Sequence, residues 1–112
     1  MALGYLVGEN YWEPYAVRSQ ILLLEVVPRL LAIQAASRGI RIFLFGSAIQ
    51  YDVSSDLDLL VVYRSSDALA SARTTIEEIE LIVPLDTIYA SEKEEAELDF
   101  ISHQRAISID QL

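Results

Sequence analysis

The stretch FLFGSAIQYDVSSDLDLLVVY, residues 43–63, holds a Gly-Ser pair and then two aspartates separated by a single leucine. On either side the chain is apolar and rich in β-formers. IRIFLF, residues 40–45, and LDLLVVY, residues 57–63, both read as buried strands. An ionised carboxylate is costly to bury, and two side by side repel each other. Asp56 and Asp58 therefore predict a strand end open to water or a cation between the acids. Strand residues two apart point to the same face, so the two acids project together near the start of the second strand.

Working outward, residues 13–38 have a helical pattern interrupted by Pro28, which predicts two helices meeting there or one kinked helix. Gly39 is a natural stop. Gly46-Ser47 turns the chain after the first strand and is compatible with a short helix. Ser65 and Ser66 are candidate caps for a helix over residues 67–79. IELIVPLDTIYA, residues 79–90, reads as a third strand, and Pro84 predicts an edge position or a bulge. SEKEEAELDFIS, from residue 91, opens with a capping box: Ser91 can bond the Glu94 amide while the Glu94 side chain reaches back. Leu98 and Ile101 lie three apart and can share a helix face. The order predicts one small α/β (α+β) domain over residues 1–112, its sheet of three or four strands flanked by helices.

Composition narrows the chemistry. The chain has 17 acidic and 8 basic residues, a formal net charge of −9, and no basic stripe of the kind that grips a polynucleotide. It has no cysteine, which excludes disulfides and thiolate metal sites. Its apolar fraction of 53% predicts a packed core rather than a disordered chain. The run ILLLEVVPRLLAI is interrupted by Glu25, Pro28 and Arg29 and is too short to span a bilayer. The first residues lack the pattern of a signal peptide. These features predict a cytoplasmic protein with no membrane partner.

Three acids are candidates for one site. If the second and third strands are neighbours, Asp86 in VPLDTIY can join Asp56 and Asp58. Hard divalent ions prefer oxygen ligands, and Mg2+ is commonly held by carboxylates together with substrate phosphates. Gly46 lets the backbone approach a ligand closely, and amides with the Ser47 hydroxyl at a turn favour an anionic phosphate. A phosphate-holding turn beside metal-holding acids is the equipment for metal-assisted phosphoryl or nucleotidyl transfer. A calcium loop at DVSSDLD is excluded, because the turn glycine is missing and Tyr63 stands where the bidentate glutamate belongs.

At these residues the sequence resembles the nucleotidyltransferases of the DNA polymerase beta superfamily, and most of all their small stand-alone "minimal nucleotidyltransferase" members. The likeness rests on FLFGS, SDLDLLVV and PLD, and it covers about residues 28–110. It implies a polymerase-beta-like fold in which Asp56, Asp58 and Asp86 bind Mg2+ and are catalytic. It implies that Gly46 and Ser47 hold the triphosphate of ATP or another nucleoside triphosphate. The implied reaction is transfer of a nucleoside monophosphate, AMP by preference, to a hydroxyl of a partner protein. The implied partner is a helical HEPN-type toxin to which the chain is the antitoxin. One alternative is a noncatalytic antitoxin or binding subunit of the same fold, and another is transfer to a small molecule. The family's loop after Gly-Ser commonly carries an arginine and a glycine, whereas here it is AIQYDVSSD. The sequence leaves self-association open.

Three further features have modest expectations. Tyr11, Trp12 and Tyr15 are read as packing onto the core, with a partner contact as the alternative. Glu92, Glu94, Glu95, Glu97 and Asp99 are read as a solvated helix face, with docking to a basic partner as the sharper alternative. His103, the lone histidine, is read as a surface residue.

Overall fold

The computed structural model describes residues 13–46 and 57–112, with side chains in the first helix from residue 24 onward. The readings made of Tyr11, Trp12, the Tyr15 side chain, Ser47, the turn that follows it and Asp56 lie outside the described residues.

The described elements are α1 (Glu13–Ala36), β1 (Ile40–Phe45), β2 (Leu57–Tyr63), α2 (Ser66–Glu80), β3 (Leu85–Ser91), α3 (Glu92–Leu98), α4 (Phe100–Gln104), β4 (Ile107–Ser108) and a closing 3-10 turn (Ile109–Gln111). They form a mixed four-stranded sheet in the order β3-β2-β1-β4 with helices around it. The small mixed sheet is the one the sequence predicts. β1 runs antiparallel to β2 and to β4, whereas β2 and β3 are parallel and are joined through α2.

The strands alternate strictly between two faces. Ile40, Ile42 and Leu44 of β1 and Leu57, Leu59 and Val61 of β2 pack with Val26, Leu30 and Ile33 of α1 and Ala72, Ile76 and Ile79 of α2. On the opposite face Phe43, Leu60, Val62 and Ala90 meet Phe45, Phe100, Ile101 and Ala106. β2 is buried on both faces, which is why it reads as a continuous apolar run rather than an alternating one. A one-residue slip of β2 would bring Asp58 into the α1–α2 core, so register is strongly specified.

Some local readings hold and others need correction. Of the two readings of Pro28 the single helix holds: α1 runs from Glu13 to Ala36 with Pro28 inside it. Gly39 then takes φ +80 before β1, and its amide neighbourhood is tied down by Arg64 N donating to Gly39 O at 2.9 Å. α2 is capped by Ser65, whose hydroxyl accepts from Ala68 N. Residues 79–84 are not strand. Ile79 belongs to the buried stripe of α2, one turn after Ile76, and Leu81, Ile82 and Val83 turn back on the helix through their amides. Pro84 precedes β3 rather than lying within it, and β3 is an edge strand. The helix opened by Ser91 stops at Leu98, because Asp99 takes a left-handed conformation with φ 52. Leu98 is therefore exposed while Ile101, in α4, packs on the sheet. The two do not share a helix face.

Candidate functional site

The site is set by where β2 and β3 begin. Pro84 has no amide to donate, but its carbonyl accepts from Leu57 N at 3.0 Å. That bond ties the chain entering β3 to the first residue of β2. The parallel register follows from it: Leu57 lies beside Leu85 and Asp58 beside Asp86. Neighbouring strands are about 4.8 Å apart, so the two aspartates stand side by side on one face. It is the face of Phe45 and Phe100, away from α1 and α2, because Asp58 is the register partner of Phe45. Asp86 is exposed and Asp58 is half-buried. The carboxylates thus sit at a strand end with access to water, as the cost of burying charge requires.

Gly46 closes the third side. It follows β1 directly and takes φ +85, a conformation that favours glycine. A Cβ there would collide with the Asp58 carboxylate, reaching Cγ at 3.0 Å and Cβ at 3.3 Å in addition to Oδ2. The missing side chain is what lets the Asp58 carboxylate lie against the backbone leaving β1. Phe45 and Phe100 make an edge-to-face contact with ring centroids 5.0 Å apart on this same face. One end of the sheet therefore gathers two carboxylates, a glycine backbone and an aromatic wall.

Of the residues singled out in the sequence, Gly46, Asp58 and Asp86 are brought together here. Ser47 and Asp56 lie outside the described residues. Among the described residues no cluster of three or more metal-ligating side chains occurs. The described part of the site is an acid pair. Its donor set is all carboxylate oxygen, which suits a hard divalent cation such as Mg2+, and the Asp58 carboxylate fills the space a Gly46 side chain would take.

The acidic run over residues 92–99 has more structure than a solvated face. Glu92 pairs with Arg64 at 3.4 Å, Glu94 completes the capping box with Ser91, and Glu95 accepts from Ile101 N at 2.8 Å. These bonds seat α3 and α4, and with them Phe100, on the acid-bearing face. His103 is exposed, with Nδ1 3.2 Å from Leu98 O.

Sequence reasoning assigned nothing to Arg73 and Tyr89, which meet on the other face. The Arg73 guanidinium lies 5.1 Å over the Tyr89 ring and also pairs with Glu77. The Tyr89 hydroxyl is buried and has no hydrogen-bond partner among the described residues, although the residue as a whole is only half-buried. Burial, with help from the charge of Glu80 and against that of Arg73, pushes the phenol up to about 12. The Arg73–Glu77 spacing was the available signal, since i,i+4 pairs mark a solvent-facing helix edge. A groove of about 570 Å3 between α1 and α2, bordered by Arg29, Ile33, Ser71, Thr75 and Glu78, is also on the face away from the acids. Its lining carries one cation and one carboxylate and no convergent acid set.

No helix among the described residues is long and apolar enough to cross a membrane. Compared with known proteins, the chain matches no family model and no curated protein.

Proposed function

We propose that the protein is a Mg2+-dependent nucleotidyltransferase with a polymerase-beta-like fold, which moves a nucleoside monophosphate, AMP by preference, from its triphosphate to a hydroxyl of a partner protein. The observation that carries the reading is the register of Asp58 with Asp86 beside the left-handed Gly46. The resemblance of FLFGS, SDLDLLVV and PLD to the superfamily's motifs supports it independently.

In this reading Asp58 and Asp86, joined by Asp56, hold the metal. Bound there, Mg2+ supplies charge neutralisation for the phosphates and for the leaving pyrophosphate. Gly46 and Ser47 receive the triphosphate through the backbone leaving β1, with the Asp58 carboxylate packed where a Gly46 side chain would stand. The acceptor oxygen forms a bond to the α-phosphorus, the bond between that phosphorus and the bridging oxygen breaks, and pyrophosphate leaves. The hydroxyl proton passes to the exposed carboxylate of Asp86 and from there to water. The aromatic pair Phe45–Phe100 puts apolar surface on the side of the half-buried Asp58, while Asp86 stays open to water. The partner in this reading is a helical toxin of the HEPN type, for which the chain acts as antitoxin in the cytoplasm.

One observation favours a second reading. The loop AIQYDVSSD has no arginine to neutralise phosphate. On that ground the same fold serves as a noncatalytic antitoxin or subunit. Label transfer separates the two. Incubation with Mg2+, each α-labelled nucleoside triphosphate in turn and the candidate partner moves label onto the partner, onto a tyrosine hydroxyl by preference. Asp58→Asn and Asp86→Asn stop the transfer without preventing association. Tight association with no label from any of the four nucleotides sinks the enzyme and leaves the binding subunit.

A further inference from the structure

From Leu24 onward, where its side chains are described, α1 turns one side to the core and leaves apolar residues exposed on the other. Val26, Leu30 and Ile33 are buried against the sheet. Val27 and Leu31 are half-buried against the same core, and the outer side carries Leu24, Pro28 and Ala35 in one row along the helix. Leu24 is 77% exposed and Leu112, beside it, 54%. Leu24, Val27, Pro28 and Leu112 enclose an apolar dent of about 340 Å3, large enough to receive a side chain. Two large exposed apolar side chains beside an apolar dent make a small patch suited to a contact.

The charges beside this patch say with what. Glu25 and Arg29 are both exposed and flank the row on the same side, equally spaced about Val27. Neither forms an ion pair within the chain among the described residues. When two helices pack antiparallel, like flanks face each other. A two-fold axis at Val27 then sets Glu25 of each copy opposite Arg29 of the other. The patch is self-complementary in charge, although the whole chain carries −9. Self-complementarity is what a two-fold interface demands, since each contact must occur twice.

We propose that the outer face of α1 is the contact of a symmetric homodimer, laid antiparallel against the same face of a second copy. Leu24 of each copy fills apolar space on the other, and two Glu25–Arg29 pairs fix the direction and register. The contact lies on the opposite side of the sheet from Asp58 and Asp86, so it leaves that site open and does not depend on its chemistry.

Sedimentation equilibrium of the full chain tests this. The expected mass is twice 12.6 kDa at tens of micromolar. Leu24→Glu raises the dimer dissociation constant by at least about tenfold, while the far-UV circular dichroism is unchanged because Leu24 is exposed. Glu25→Arg and Arg29→Glu each weaken the dimer, and the double reversal restores it. Because the chain has no cysteine, Pro28→Cys should give a disulfide-linked dimer on mild oxidation, and Ala96→Cys on α3 should not. A chain that stays monomeric at 100 μM (roughly one hundred times a micromolar affinity) overturns the proposal. So does a dimer indifferent to Leu24→Glu and to the single charge reversals, or a patch that is covered only by a different protein.

Discussion

Replacing Gly46 by alanine is the sharpest structural perturbation of the acid-bearing end of the sheet. Two separate costs follow from the geometry. At φ +85 an L-residue is strained by about 1–2 kcal/mol. The added Cβ also collides with the Asp58 carboxylate, and the close approach to Asp58 Cβ at 3.3 Å means that rotating the carboxylate alone does not relieve it. Forcing Asp58 off its preferred rotamer adds about 1 kcal/mol. The sum is roughly 2–3 kcal/mol, which with an ordinary urea slope lowers the unfolding midpoint by about 1 M. A double-mutant cycle separates the two costs. In an Asp58→Ala background the collision with the carboxylate is gone, and the φ strain and the 3.3 Å approach to the residue 58 Cβ remain, so Gly46→Ala costs less there by about 1 kcal/mol. Urea denaturation followed by circular dichroism reads all four corners. If Gly46→Ala costs less than about 0.5 kcal/mol, or if the cycle shows no coupling, the close packing of Gly46 on Asp58 is not present in solution.

Other consequences are independent of this one. Ser91→Ala removes the hydroxyl of the capping box and costs about 1 kcal/mol in urea denaturation, with Glu94→Ala largely non-additive because both serve one motif. Tyr89→Phe removes a hydroxyl that has no partner among the described residues and is neutral or slightly stabilising at pH 7; a loss well above 1 kcal/mol would reveal an ordered water or other partner. Its pH dependence has a definite sign. The phenol titrates near 10 when unfolded and is pushed up to about 12 when folded, so stability is undiminished below pH 10 and falls as pH rises towards 12. Tyr89→Phe flattens that alkaline fall. Asp86→Asn leaves the metal-free domain as stable or slightly more so, since it removes a like charge beside Asp58, and it abolishes any rise of Tm with Mg2+. Marked destabilisation of the metal-free variant would make Asp86 a structural acid.

What the sequence disclosed follows from how local each signal is. β1 and β2 were legible to the residue, because IRIFLF and LDLLVVY are apolar runs bounded by turn residues. The capping box at Ser91 was legible for the same reason, since its four residues settle it among themselves. The start of β3 was misread because Ile79 and Ile82 look equally apolar in a strand or in a helix. Only the spacing of Ala72, Ile76 and Ile79 shows that the helix continues. Asp99 breaks the last helix through a left-handed backbone that its sequence neighbourhood does not announce. β4 pairs at only two positions and is held by its neighbour rather than by any pattern of its own. As for the site, Gly46 and Asp58 flank one turn and could be read together. The adjacency of Asp86 depended on β2 and β3 pairing in parallel, which is decided by the α2 crossover and the Pro84–Leu57 bond. Those are long-range facts, and the sequence could state them only as a condition.

The central claim is that the end of the sheet carrying Asp58 and Asp86 binds a divalent metal together with a nucleotide. Paramagnetic broadening tests it without an acceptor. Mn2+ with a non-hydrolysable ATP analogue, titrated into 15N-labelled protein, should broaden the amide signals of Gly46, Asp58 and Asp86 first and leave α1 and α2 sharp. Asp86→Asn should remove the effect. Broadening centred on the groove between α1 and α2, or equal broadening in wild type and Asp86→Asn, would contradict the claim.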